Sequence, residues 1–155
     1  MNKTVATIAG TLSLMLSAGL SQAQSYGADV NAETARKVAA GTIAECQKNN
    51  WRVAVAVVDT HGALVHFERV DDTQIASYKI AIAKARAAAT YRRSTRVFLD
   101  NIAKGNVAQM TLPGVIASPG GLPIVVGGKI VGAVGVSGVT GDQDEQCAKA
   151  GISGL

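Results

Sequence analysis

The chain has 155 residues, 48% of them apolar, 4% aromatic and 17% charged, with a net charge of +4. That length suits one domain with a single core, and so small a cationic excess, with no run of five or more basic residues, argues against a nucleic-acid surface. Two cysteines with no CxxC pair argue against a zinc site.

Residues 1–23 read as a secretory signal. Lys3 is their one charge, Val5 to Leu20 form a mostly apolar run, and Ser21-Gln22-Ala23 sets small side chains where a signal peptidase reads, so cleavage is expected after Ala23. A spanning helix needs about 20 apolar residues. The run here is shorter, contains Gly and Ser, and no second apolar span follows it. The mature chain, residues 24–155, is expected to be a single domain of 132 residues with a charge of +3. It is expected in the periplasm or outside the cell, with no membrane span, where Cys46 and Cys147 are permitted but not required to pair.

Asn31 to Asn49 has helical spacing: Asn31 can cap the start, and Ala35, Val38, Ala39, Thr42, Ile43 and Cys46 form the apolar stripe. Trp51 to Asp59 is nearly continuous in apolar residues, which predicts a strand covered on both faces. Thr60-His61-Gly62 is turn chemistry, and Leu64 to Val70 completes an antiparallel hairpin. Gln74 to Arg93 returns to helical spacing, with Ile75, Tyr78, Ile82, Ala85 and Ala89 along one stripe. Ser94-Thr95 interrupts it, and Val97 to Ala103 reads as a shorter helix that Thr95 is placed to cap. Leu112-Pro113-Gly114 marks a turn before Val115 to Ala117.

From Ser118 to Gly141 the chain packs eight of its seventeen glycines into twenty-four residues. A P-loop is excluded because Pro123 stands where the first glycine belongs and Ile130 follows Lys129, and a GxGxxG fingerprint is excluded because Gly132, Gly135 and Gly138 are spaced by three. The remaining pattern is Leu122 to Val126 and Lys129 to Ser137 joined by Gly127-Gly128, a hairpin whose turn residues tolerate positive φ. Asp142 to Ala150 closes the chain as a helix with acidic residues at its start. The order is helix, two strands, two helices, about three strands, helix, which predicts an α+β fold with a mainly antiparallel sheet.

Three stretches taken together, NNWRVAVAVVDTHGALVHFERVDD, IAIAKARAAATYRRSTRVF and PGGLPIVVGGKIVGAVGVSGVTGDQDEQCAKAGI, resemble the GlcG/HbpS-like haem-binding family, which includes the C-terminal part of PduO-type proteins. The resemblance runs from about Asn31 to Leu155. It implies a profilin-like fold, a five-stranded antiparallel sheet with helices packed on it, assembled into homo-oligomers. That arrangement lets the first and last helices lie together, within reach of a Cys46–Cys147 bond. It also implies haem as cofactor, in haem or iron handling or sensing, with iron contacted by the threonine of a Pro-Thr pair. The matching pair here is Ser94-Thr95, so the threonine is kept and the proline is not.

The candidate binding residues are Lys84, Tyr91, Arg92, Arg93, Thr95, Gly120 and Gly121. The cationic and phenolic groups suit haem propionates or another small anionic molecule, since a guanidinium forks onto a carboxylate. Gly120-Gly121 precedes a strand and could leave N–H groups free for a carboxylate, or be an ordinary loop. A threonine before a helix is ordinarily its cap, and a hydroxyl is a poor iron ligand, although Thr95 could fill both roles. His61 and His66 are better ligands by chemistry, but one sits in a turn and the other on the outer face of its strand. Met110 is an axial candidate whose ordinary role is packing. Asp142 and Glu145 form a DxxE pair that suits a cation or merely a helix start. Two other functions fit the sequence. One is a periplasmic enzyme or binding protein for a small carboxylated metabolite, with Lys84 or Asp59 as acid/base; the other is a partner whose task is assembly.

Overall fold

The computed structural model describes residues 24–155, and the expected signal segment, 1–23, lies outside the described residues. The elements are α1 (Ala32–Lys48), β1 (Ala54–Val58), β2 (Leu64–Arg69), α2 (Ser77–Tyr91), α3 (Arg96–Ala103), a 3-10 turn at Val107–Thr111, β3 (Gly121–Val126), β4 (Lys129–Ser137) and α4 (Gly141–Ile152). The strands form one antiparallel sheet in the order β2-β1-β4-β3. No helix among the described residues is long and apolar enough to cross a membrane.

The sheet has four strands, not the expected five. Val115 to Ala117 is irregular, following Leu112 and the positive φ of Gly114. The N-terminal arm supplies only a single parallel bridge, Tyr26 to Ile130, alongside the part of β4 that extends beyond the end of β1.

The sheet is a middle layer, as the continuous apolar runs of β1 and β4 predict. On one face Val55, Val57, Val134, Val136 and Ile124 pack against Val38, Ala39 and Ile43 of α1 and Ala148 of α4. On the other, Ala54, Ala56, Val58 and Ala133 meet Ala81, Ala85, Ala88 and Ala89 of α2. Small side chains on both sides let α2 approach the strands closely. This reassigns the stripe: Ile75, which precedes α2, and Tyr78 are exposed, and the buried face of α2 is made of Ser77, Lys84 and alanines.

A Cβ at Gly135 would overlap the Ala81 carbonyl oxygen and lie 3.0 Å from Ala85 Cβ. Gly135→Ala is therefore expected to destabilise by about 1–3 kcal/mol through overpacking. The check is the midpoint of urea unfolding, and an unchanged midpoint would show that α2 is not seated on β4.

Local chemistry sets the ends of the elements. Asn31 caps α1 by accepting from Thr34 N–H at 2.8 Å, as expected from sequence. Thr140 and Gln143 form a reciprocal capping box on α4. Gly127 and Gly128 take φ of 56° and 76° and turn the β3–β4 hairpin. On the outer edge of β3, Gly121 exchanges both backbone groups with Thr95, and two residues on, the same side carries Pro123, which has no N–H. The first and last helices do lie together, Gly41 against the Gly151 backbone, joined by a Cys46–Cys147 disulfide with Cα atoms 5.5 Å apart.

Candidate functional site

The site is built at the C-terminal end of α2, where Arg92 adopts a left-handed conformation (φ 53°, ψ 40°) and ends the helix. Glycine is the usual residue there because a Cβ is disfavoured in that region. The arginine is held by its side chain. Its guanidinium lies 5.6 Å from the centre of the Tyr26 ring and donates to the Gln24 carbonyl at 3.0 Å. The backbone reversal turns Arg92 and Arg93 to one side. Together with Gln24, Tyr91 and Val97 they line a cleft of about 270 Å³.

The walls of this cleft are fixed. The Tyr91 hydroxyl donates to Pro113 O at 2.7 Å, and its ring meets the buried Phe98 edge-on at 5.3 Å. Arg93 Nε donates to Tyr91 O at 3.0 Å. Among the described residues neither Arg92 nor Arg93 forms an ion pair, whereas Arg96 is fully engaged, by Asp142 at 2.5 Å and by Glu145. Those contacts occupy the DxxE pair, with Glu145 also bound by Lys149 at 2.9 Å. The cleft is therefore cationic with no compensating acid in its lining, an arrangement suited to carboxylates. The Leu112–Gly114 turn also borders a second, more apolar cleft of about 300 Å³ lined by Lys79, Ile82, Ala83, Arg86 and Gly114.

The seven candidate residues fall into two groups. Tyr91, Arg92 and Arg93 converge on the open cleft. Lys84, Thr95, Gly120 and Gly121 converge in the interior. Lys84 is 1% exposed, and its ammonium donates to Asp144 Oδ2 at 2.7 Å and Val136 O at 3.0 Å. Gly120 (φ 118°) packs on that ammonium, where a Cβ would stand 3.0 Å from Nζ. Burial outweighs the Lys84 charge and raises the Asp144 carboxyl above the ordinary carboxylate value.

Thr95 is fully buried and does not cap α3 with its side chain. Its hydroxyl donates to Ser118 O at 2.7 Å and accepts from Gly121 N–H at 3.0 Å, because its own backbone is already helical and the start of β3 lies alongside. Ser94 Oγ instead accepts from Arg96 N–H at 3.1 Å. The Gly121 N–H is thus consumed inside the protein. Met110 is exposed on the 3-10 turn and not packed, and His66 is half-buried, 3.6 Å from Glu68.

Sequence reading missed two features. Gln24 lines the cleft, which nothing in its local sequence signals. Asp29, Asp59 and His61 bring ligand-type atoms within 4.8 Å of one another at the β1–β2 turn. In that turn Asp59 Oδ1 accepts from His61 and Ala63 N–H, and Thr60 holds the Asp29 carboxyl below its ordinary pKa by donating its hydroxyl and amide.

A four-stranded antiparallel sheet between helical layers, with a cationic cleft beside the end of α2, defines a small α+β domain. Residues 30–153 match the family described as HbpS-like, haem degrading protein HbpS-like, and the chain belongs to that family. It is 47% identical to protein GlcG of Escherichia coli K12 over 94 residues, 60% of this chain and 69% of that one. Among solved structures it is similar to a double mutant of HbpS from Streptomyces reticuli, with 29% identity, a TM-score of 0.76, and 100% and 98% of the two chains covered. Its fold is also that of PduOC, solved as a haem complex, with 24% identity, a TM-score of 0.75, and 82% and 95% coverage.

Proposed function

We propose that this chain is an exported, oligomeric haem-binding protein of haem or iron handling or sensing, holding haem by its propionates at the Tyr91–Arg92–Arg93 cleft. The observation that carries this reading is the convergence on one cleft of two guanidinium groups that form no ion pair among the described residues, in a member of the HbpS-like family. The haem complex of PduOC, a protein of the same fold, supports the choice of ligand. The disulfide supports export, because such bonds persist in oxidising compartments. Exposed Ile75, Val107 and Met110 support assembly, since large apolar side chains left on a surface mark contact sites.

The residues present fit the carboxylate edge of haem. Arg92 and Arg93 would hold the propionates, and Tyr91 and Val97 would border the porphyrin. Thr95 does not fit the axial position, because its hydroxyl is sealed inside the protein with both hydrogen-bonding roles filled. Tyr91 is the one cleft residue of a type that ligates haem iron, and its phenol now donates to Pro113 O. Bound haem would supply iron-centred redox and oxygen chemistry.

The test is titration of the mature protein with ferric haem, followed at the Soret band. A saturable shift is expected at micromolar protein, and its absence overturns the reading. Arg92→Gly adds a sharper expectation. Relief of the left-handed strain, about 1 kcal/mol, should offset part of the lost Tyr26 and Gln24 contacts and keep the melting temperature within a few degrees of the parent. Loss of a charged hydrogen bond, worth about 1.5–3 kcal/mol, should weaken haem binding roughly tenfold or more. Unchanged affinity would move haem away from this cleft.

A further inference from the structure

We infer that removal of the leader completes the site: hydrolysis of the Ala23–Gln24 bond sets the new α-amino group of Gln24 in the cationic cleft, where its ammonium pairs with a carboxylate of the guest. This rests on the exported, haem-binding reading above. Water adds across the peptide bond under a signal peptidase, leaving a carboxylate on Ala23 and an amine on Gln24. An α-amine has an ordinary pKa of about 7.7–8.0, so it takes up a proton near neutral pH.

The position of Gln24 is set by the folded domain. The arm from Ser25 to Val30 is tied to β4 by three backbone bonds: Ile130 N–H to Ser25 O at 3.0 Å, Gly27 N–H to Ile130 O at 2.8 Å and Val30 N–H to Val131 O at 2.7 Å. It is clipped to α2 by the Tyr26 hydroxyl, which donates to Ala89 O at 2.7 Å. Gln24 itself lines the cleft, and its carbonyl accepts from Arg92 at 3.0 Å. Covalent geometry keeps its α-nitrogen about 3 Å from that oxygen. The nitrogen is thereby held close to the Arg92 guanidinium.

Cleavage changes what stands there. In the precursor the atom is a neutral amide nitrogen. In the mature chain it is a cation with three donors, beside two guanidinium groups and no acid in the lining. An anionic guest with two carboxylate arms would then meet three cations. Without a guest the two arginines disfavour the ammonium, so its charge is best satisfied when a carboxylate is bound.

The experiment compares mature protein starting at Gln24, released from a self-removing fusion, with protein starting at Ser21. Both are titrated with ferric haem at the Soret band and with tricarballylate by calorimetry. The form with the free Gln24 amine is expected to bind about tenfold more tightly or better, in line with one charged hydrogen bond, with matching melting temperatures. Equal affinities for both probes, including no binding by either form, overturn the inference. If haem binds both forms equally, the haem reading stands and the amine's role falls. If haem binds neither form while tricarballylate distinguishes them, the haem reading falls and the amine's role stands. N-terminal glutamine can also cyclise to a neutral lactam with loss of ammonia. Protein shown by mass to be cyclised should bind like the extended form, and tight binding by it overturns the inference.

Discussion

Lys84→Met is expected to lower stability by about 3–5 kcal/mol at neutral pH, because it leaves the buried Asp144 carboxylate without its counter-ion. Urea unfolding measures the loss. A double variant, Lys84→Met with Asp144→Leu, should regain most of it, since replacing a whole buried pair by apolar groups is often close to neutral. The pH dependence has a definite sign. Burial already raises the folded pKa of Asp144 above 3.8, while the charge and hydrogen bond of Lys84 pull it down. Removing Lys84 raises it further, so the folded variant binds the proton more tightly than the unfolded chain. The deficit should be fully present above the raised folded pKa and should shrink as pH falls through it toward 3.8. A deficit that stays constant across that window would show that Asp144 is not the cause.

Removing the disulfide should have an effect of similar size. Cys46 and Cys147 are both fully buried and 101 residues apart in sequence. A loop of about 100 residues gives close to 4.7 kcal/mol on the chain-entropy model, and measured losses for small domains run about 2–5 kcal/mol. The Cys46→Ser/Cys147→Ser variant is therefore expected to melt about 10 °C lower or more. Intact mass after thiol labelling, with and without reductant, establishes the bond in the parent protein. Two labelled thiols without reductant, or a melting shift under about 2 °C, would refute this.

What the sequence made legible was local. The 3.6-residue spacing of Ala35, Val38, Ala39, Thr42, Ile43 and Cys46 marked α1, and all six are buried. Continuous apolar residues marked β1 as a strand covered on both sides, and a Gly-Gly pair marked the β3–β4 turn. That Tyr91, Arg92 and Arg93 share one cleft was legible because adjacent cations and a phenol at a helix end need only the local backbone to bring them together.

What the sequence hid was decided at long range. A lysine on an alanine-rich helix ordinarily points to water, and Lys84 is buried by an aspartate sixty residues later. Thr95 occupies the position of a cap, but its hydroxyl goes to Ser118 and Gly121, more than twenty residues away. Val115 to Ala117 has the composition of a strand and finds no neighbour to pair with. Gln24 reaches the cleft only because β4 extends past the end of β1 and leaves room for the arm.

The outer margin of β3 has a bearing on how copies of this chain would meet. Thr95 consumes the first pair of main-chain groups there, and the pyrrolidine of Pro123 offers nothing to a visiting strand. Lateral growth of the sheet from molecule to molecule is thereby discouraged on that flank. The other margin of the sheet is β2, so any strand-to-strand contact between copies would have to be made there.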